Sequence, residues 1–293
     1  MNYIIYILFR IAVLIIYLLP FRSVYVLSDV MAFLLNNVFK YRKDVVYKNI
    51  KSCFPEKIDI EIKAIADKFY TNLSDVIIEA IKGFTMSEKE LHKRYNFLNR
   101  EILNSYFEKG INAICLSAHF ANWEWGVLIM GKQFNHKTFG VYKPLTNKYI
   151  DNYVERRRKK LDMSLLSMED TVKGMRIKYD RPAVFILIAD QSPSNHKKAV
   201  WVDFFNIKTA CSHGVDMASR MFSYPVLYII SRRRKRGFYE VECKVLVDNP
   251  VDIKKGEIAQ IYMNELEKNI RLEPSNWLWS HRRWKHKYED VIL

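Results

Sequence analysis

His119 is followed five residues later by Glu124. An imidazole with a carboxylate in reach is suited to taking the proton from a hydroxyl. A hydroxyl is a poor nucleophile near neutral pH, and a neutral imidazole within hydrogen-bond distance removes its proton as it attacks. A carboxylate on the other ring nitrogen fixes the tautomer and stabilises the imidazolium that forms. In this chemistry the nucleophile belongs to the substrate. The chain places no nucleophile of its own there: Cys115 lies inside an apolar run, and no G-x-S-x-G occurs.

The spacing constrains the fold. On one continuous helix five residues turn through about 500°, which leaves the two side chains about 140° apart. They can meet only if His119 lies in a strand-to-helix turn and Glu124 in the first helical turn. The flanking sequence predicts that boundary. Ile111–Ser117, after Gly110, reads as a buried strand, and a helix is predicted to start at Trp123. In open α/β sheets, sites form outside the C-terminal ends of strands. Spacing alone is not specific, because seven histidines and 32 acidic residues make about one such match expected by chance.

Apolar residues at helical spacing predict an amphipathic helix over 59–82, with further helices over 99–109, 148–161 and 256–272. Strands are predicted over 138–142, 182–189, 226–231 and 238–247, the last two joined by the basic turn Arg232–Gly237. Asp190 and Gln191 follow the strand 182–189. Strands alternating with helices predict an α/β fold with a mixed, largely parallel sheet flanked by helices, and an antiparallel pair late in the chain.

The formal charge of +15 describes partners rather than fold: nucleic acid, an anionic membrane surface or acidic substrates. Four widely spaced cysteines without a C-x-x-C read as buried free thiols. No metal site is expected, since His281 and His286 are five apart and no H-x3-H occurs. Residues 3–19 form an apolar run with Arg10 as its one charge, at the short limit of a membrane span. No basic n-region precedes this run and no A-x-A-like site follows it, so it reads as a retained anchor rather than a signal peptide. Arg10 costs about 2.5–3.5 kcal/mol near mid-membrane, which also permits a helix lying in the interface beside the apolar stretch 24–38. The alternative is a buried core helix. Lys40, Arg42, Lys43, Lys48 and Lys51 follow, which orients the rest of the chain to the cytoplasmic face.

His119-Phe120-Ala121-Asn122-Trp123-Glu124 resembles the H-x4-D/E box of the lysophospholipid acyltransferase superfamily, and in detail the HFGNWE form of the bacterial lipid A late acyltransferases. Three downstream segments agree in order: Val141–Asn147 with Tyr153–Arg158, Ala189-Asp190-Gln191 with Val202–Phe205, and Trp277–Lys285. Ala121 stands where the family carries Gly, Lys143 where it carries Arg, and Asn206 where it often carries Gly.

The resemblance implies an O-acyltransferase with residues 1–22 as membrane anchor and 23–293 as acyltransferase domain. It would move a fatty acyl chain from an acyl carrier protein thioester to a hydroxyl of a lipid A precursor, without a cofactor and without an acyl-enzyme. His119 would be general base and Glu124 its orienting acid. Asn122 would hold the turn or bind substrate, Arg156 would bind phosphate or an oxyanion, and Asp190 and Gln191 would bind substrate or cap the loop. Arg157 and Arg158 read as a solvated helix face. Arg282 and Arg283, between tryptophans, read either as interfacial or as satisfying buried carbonyls. The basic surface suits the acidic carrier protein and an anionic lipid acceptor, and places the enzyme at the cytoplasmic face of the inner membrane. Another glycolipid or aminolipid acceptor is the neighbouring reading. A basic membrane-tethered binding protein is the remote one, and no nucleic-acid-binding signature supports it.

Overall fold

The apolar amino terminus folds as two helices parted at Pro20, α1 (Asn2–Leu18) and α2 (Phe21–Phe33). The computed structural model describes residues 1–288, so the last residues of the expected 23–293 domain lie outside the described residues. At 1.5 Å per residue, the 17 residues of α1 reach about 25 Å, short of the ~30 Å hydrocarbon core of a bilayer. No described helix is long and apolar enough to cross a membrane. The expected spanning helix is therefore not found. Instead α1 packs along the body: Val13 and Ile16 are buried, and Phe9 meets Phe84 and Tyr153 edge-on. The outer faces of α1 and α2 still expose Ile4, Leu8, Leu14, Val26, Val30 and Phe33.

Lys82 explains the seating of α1. The last carbonyls of a helix have no partner within it. The Lys82 ammonium donates to the carbonyls of Ile16 (2.9 Å), Tyr17 (2.9 Å) and Leu19 (2.7 Å), a cation where the helix dipole is negative. Lys82 belongs to α4 (Asp59–Gly83), which follows α3 (Lys43–Cys53). Of the apolar stripe that periodicity predicts for α4, Ile62, Ala66, Phe69, Leu73 and Val76 are buried, while Ile77 is exposed. Asp75 and Glu79, one turn apart, are buried as well.

The chain continues through α5 (Glu88–Arg94), β1 (Tyr95–Phe97), α6 (Glu101–Glu108), β2 (Ala113–Ser117), α7 (Trp123–Ile129), β3 (Lys137–Tyr142), α8 (Lys148–Lys159), β4 (Met163–Ser167), α9 (Thr171–Arg176) and β5 (Ala183–Ile188). A hairpin follows, β6 (Val200–Phe204) and β7 (Ile207–Cys211), then α10 (Gly214–Phe222), β8 (Val226–Lys235), β9 (Phe238–Val247) and α11 (Glu257–Leu272). Seven strands form one sheet in the order β1-β9-β8-β2-β5-β3-β4. From β8 to β4 they run parallel; β9 returns antiparallel to β8, and β1 pairs parallel with β9. The mixed, largely parallel α/β sheet is as expected. The expected basic turn is shorter, because β8 runs through Lys235 and the reversal uses Gly237 at φ +75°.

Strands β1, β4, β6 and β7 lack a clean alternation or a long apolar run, and sequence patterning did not reveal them. The β6–β7 reversal places Phe205 and Asn206 at φ 53° and 58°. Both centres of such a two-residue turn need positive φ, where Gly and Asn are the preferred residues. Asn206 in place of the family's Gly therefore keeps the turn. All four cysteines are free and buried.

Candidate active site

The two central strands bring the site together. Ser117 of β2 pairs with Ile188 of β5, and Ala189 N–H donates to the Ser117 carbonyl at 3.1 Å. Two residues beyond each strand stand His119 and Asp190. His119 Nδ1 lies 2.7 Å from Asp190 Oδ1, and the His119 backbone N–H donates to Oδ2 at 3.1 Å. The Trp277 indole N–H also donates to that Oδ2 at 2.8 Å. Burial raises the Asp190 carboxyl, but His119 and these donors outweigh it and hold the group below its ordinary range. Burial pulls the His119 imidazole down, but the Asp190 charge, its hydrogen bond and the Glu124 charge outweigh it, so the imidazole is raised above its ordinary 6.5.

This corrects the expected pairing. Glu124 does lie in the first turn of α7 as predicted, but its carboxylate accepts from Arg158 Nη2 at 3.1 Å and from the Trp123 indole at 3.1 Å. Nδ1 of His119 is taken by Asp190. Asp190, expected to bind substrate or cap the loop, is thus the carboxylate that holds the His119 ring. The Gln191 amide nitrogen lies 3.4 Å from His119 Nε2, and both residues line the same cavity.

The arginine at the cavity is also different from the one expected. Asp151, Val154, Glu155 and Arg158 lie on one face of α8 and line a cavity with His119 and Glu124. Arg156 is about 200° from Arg158 around the helix; it is exposed and donates to the Asn152 carbonyl. Arg158, read as a solvated face, is the residue at the site. The signal was available in the i, i+3, i+4, i+7 face that carries Val154. The Arg158 Nε hydrogen has no partner among the described residues.

Asn122, expected to hold the turn or bind substrate, is fully buried and is not among the residues lining the cavity. Its Oδ1 caps α7 by accepting from Trp125 N–H at 2.9 Å, and its Nδ2 donates to Glu79 Oε2 at 2.6 Å. Ala121 before it holds φ at 49°. The family's Gly occupies this left-handed conformation without the steric cost of a Cβ. Residues 119–121 are stitched to the C-terminal segment: Ala121 N–H donates to the Asn276 carbonyl at 2.9 Å and Leu278 N–H to the His119 carbonyl at 3.1 Å.

In the C-terminal basic-aromatic segment Trp277, Trp279 and Arg283 are packed inside, while Arg282 is exposed. Arg283 is buried and donates to the Ala210 carbonyl at 2.6 Å. His281 Nε2 accepts from Ser192 N–H at 3.1 Å; burial pulls this imidazole down to about 4, so it is neutral.

The cavity holds about 530 Å³. His119, Glu124, Arg158, Gln191 and Lys143 are among its polar lining groups, together with Asp151 and Glu155. Buried Ile114, Met130, Met163 and Met175 line the remainder. Gly140 belongs to this wall, and a Cβ there would meet Met163 Sδ at 3.3 Å and Leu165 Cδ2 at 3.4 Å. A base lining a largely apolar cavity fits transfer chemistry on a substrate with a long hydrocarbon part.

The chain matches the family model described as bacterial lipid A biosynthesis acyltransferase over residues 1–286. It is 24% identical over 277 residues to the lipid A biosynthesis lauroyltransferase of Escherichia coli, covering 93% of this chain and 89% of that one. It is 20% identical over 250 residues to the lipid A biosynthesis palmitoleoyltransferase of the same organism, covering 84% and 79%. It is also 20% identical over 261 residues to a lipid A biosynthesis acyltransferase of Haemophilus influenzae, covering 89% and 81%.

Proposed function

Because the chain belongs to the bacterial lipid A biosynthesis acyltransferase family, we propose that it transfers a fatty acyl group from an acyl carrier protein thioester directly to a hydroxyl of a lipid A precursor, with His119 as base and Asp190 as its orienting carboxylate. The observation that carries this reading is the His119–Asp190 pair, with His119 lining a largely apolar cavity. The hydrocarbon chain lies in the cavity. With Nδ1 held by Asp190, Nε2 faces the acceptor hydroxyl and takes its proton as the oxygen attacks the thioester carbonyl. A tetrahedral intermediate forms. Its oxyanion is met by N–H groups of Arg158, which Glu124 holds in place, and by the Gln191 amide. Collapse breaks the C–S bond, and the imidazolium returns its proton to the leaving thiolate. The products are the ester and the free thiol, and no bond to the protein forms.

The net charge of +15 supports an acidic carrier protein as donor and an anionic lipid as acceptor. The exposed apolar faces of α1 and α2 support a seat in the interface, on the cytoplasmic side of the inner membrane, without a span. The test uses wild type and His119→Ala purified in detergent, with acyl carrier protein and coenzyme A thioesters as donors and a lipid A precursor as acceptor. Transfer by the wild type and its loss in the variant are expected, with no acyl adduct on the intact protein by mass spectrometry. A variant as active as wild type would sink the assignment of the base. Transfer only to another lipid would change the acceptor.

A further inference from the structure

Glu79 is a buried carboxylate that the mechanism above does not use. It sits on α4 at the meeting point of three other elements. Oε1 accepts from the Tyr25 hydroxyl of α2 at 2.7 Å. Oε2 accepts from Asn122 at 2.6 Å and from the Tyr239 hydroxyl of β9 at 2.7 Å. Its backbone carbonyl accepts from the Trp125 indole at 2.6 Å. We propose that Glu79 is a positioning residue of the acyl-transfer site, fixing the start of α7 and joining it to the seating of α2.

The amide of Asn122 has two ends with two tasks. Its oxygen caps α7, and its nitrogen must find an acceptor. Glu79 supplies that acceptor and so decides which way the amide faces. The next two residues, Trp123 and Glu124, line the cavity, and Glu124 holds Arg158. The turn before them contains Ala121 in a left-handed conformation, so its shape depends on outside hydrogen bonds. The C-terminal segment holds 119–121, and Glu79 holds 122.

The partners of Glu79 also distinguish it from Asp75, one turn away. Asp75 is paired with the guanidinium groups of Arg233 and Arg236. The hydrogen-bond partners of Glu79 are all neutral. A buried carboxylate satisfied only by neutral donors is a costly way to fill a core. Three donors converge on two oxygens, which a carboxylate accepts and an amide cannot. Tyr25 brings in α2, whose outer face exposes Val26, Val30 and Phe33, so a load on that face reaches the carboxylate that sets α7.

The proposal rests on the acyl-transfer reading of the site, and its test has one arm that does not. Full-length Glu79→Gln, Tyr25→Phe and the reciprocal swap Glu79→Gln with Asn122→Asp are compared with wild type. Kinetics are measured per folded molecule, and hydrogen exchange is followed at the amides of 122–126. Glu79→Gln is expected to lower kcat about tenfold or more, with KM for the thioester changed by no more than about twofold. Exchange at 122–126 rises while that of 183–188 stays. The swap restores a donor–acceptor pair and recovers most of both effects. Tyr25→Phe gives the same changes in smaller size. Unchanged kcat and exchange in Glu79→Gln, or a swap that recovers nothing, overturns the proposal. If Glu79→Gln does not fold, Tyr239→Phe takes its place, and wild-type values in that variant overturn it equally. A wild type inactive on every lipid acceptor speaks against the proposed function and leaves the exchange arm to decide this one.

Discussion

His119 and Asp190 come from segments 71 residues apart, yet the imidazole Nδ1 and the carboxylate Oδ1 are 2.7 Å apart. The contact follows from strand register. Ser117 and Ile188 are partners on adjacent parallel strands, and the chain runs the same short distance past each. The residue five positions from His119 in sequence instead serves the arginine opposite.

This pairing sets the pH dependence. The base must be neutral to accept a proton. Its imidazole is raised above 6.5, so activity is expected to rise with pH along an acid limb centred above 6.5. Asp190→Asn removes the main raising cause and leaves burial, which lowers. The limb should move to lower pH while kcat falls about 10²–10⁴-fold, as when a tautomer-fixing carboxylate is lost. A pH–rate profile of both proteins decides, and an unmoved limb would count against Asp190. The linked stability has the matching sign. The raised His119 contributes below 6.5 and loses that contribution as pH rises through its folded value. The depressed Asp190 contributes above 3.8 and loses it as pH falls through its own.

The two arginines of α8 should separate in a transfer assay. Arg158→Ala removes the partner of Glu124 and the N–H groups at the cavity, and should cost about a hundredfold to a thousandfold in kcat. Arg156→Ala, on the exposed face, should stay within about twofold. Equal losses would mean that the arginines act through surface charge rather than through the site.

Gly140 should tune acyl chain choice. A larger side chain there enters the cavity wall against Met163 and Leu165. Both are flexible, so Gly140→Val is expected to fold. Competition among thioesters of graded length, read by product mass, should shift toward shorter chains. An unchanged product distribution would place the hydrocarbon elsewhere.

Lys82→Met should loosen α1. The substitution keeps the stem but withdraws the three donors from the α1 carbonyls, at a cost of about 1–3 kcal/mol. The denaturant midpoint should fall, and an unchanged midpoint would show that α1 is held by its apolar contacts alone.

His281 should register in acid. Its folded value near 4 lies below its ordinary 6.5, so the stability it contributes is present above 6.5 and is lost as pH falls through about 4. Thermal melts from pH 7 to 4 should show a smaller decline in His281→Gln than in wild type. Parallel declines would place the acid sensitivity elsewhere.

The sequence by itself determined the features that depend on local order. Helical spacing revealed α4 and α11, apolar runs revealed β2 and β5, and the run from His119 to Glu124 with its three following segments led to the acyltransferase resemblance. It also located the turn in which His119 sits, because Gly110, the short apolar strand and the helix start at Trp123 are all local signals. Only the tertiary structure decided which groups meet there. A hydrogen bond needs atoms within about 3 Å, and that depends on strand order and register. Neither is written in any short stretch of chain. Asp190 therefore displaced Glu124 as the histidine's partner, and Arg158 displaced Arg156 when α8 turned its 151–158 face inward. The Asn122 amide is engaged by Glu79, 43 residues earlier, a partner no local pattern points to. The amino-terminal helix, apolar enough to suggest a span, proved too short for one and came to rest on α4, where Lys82 meets its last carbonyls.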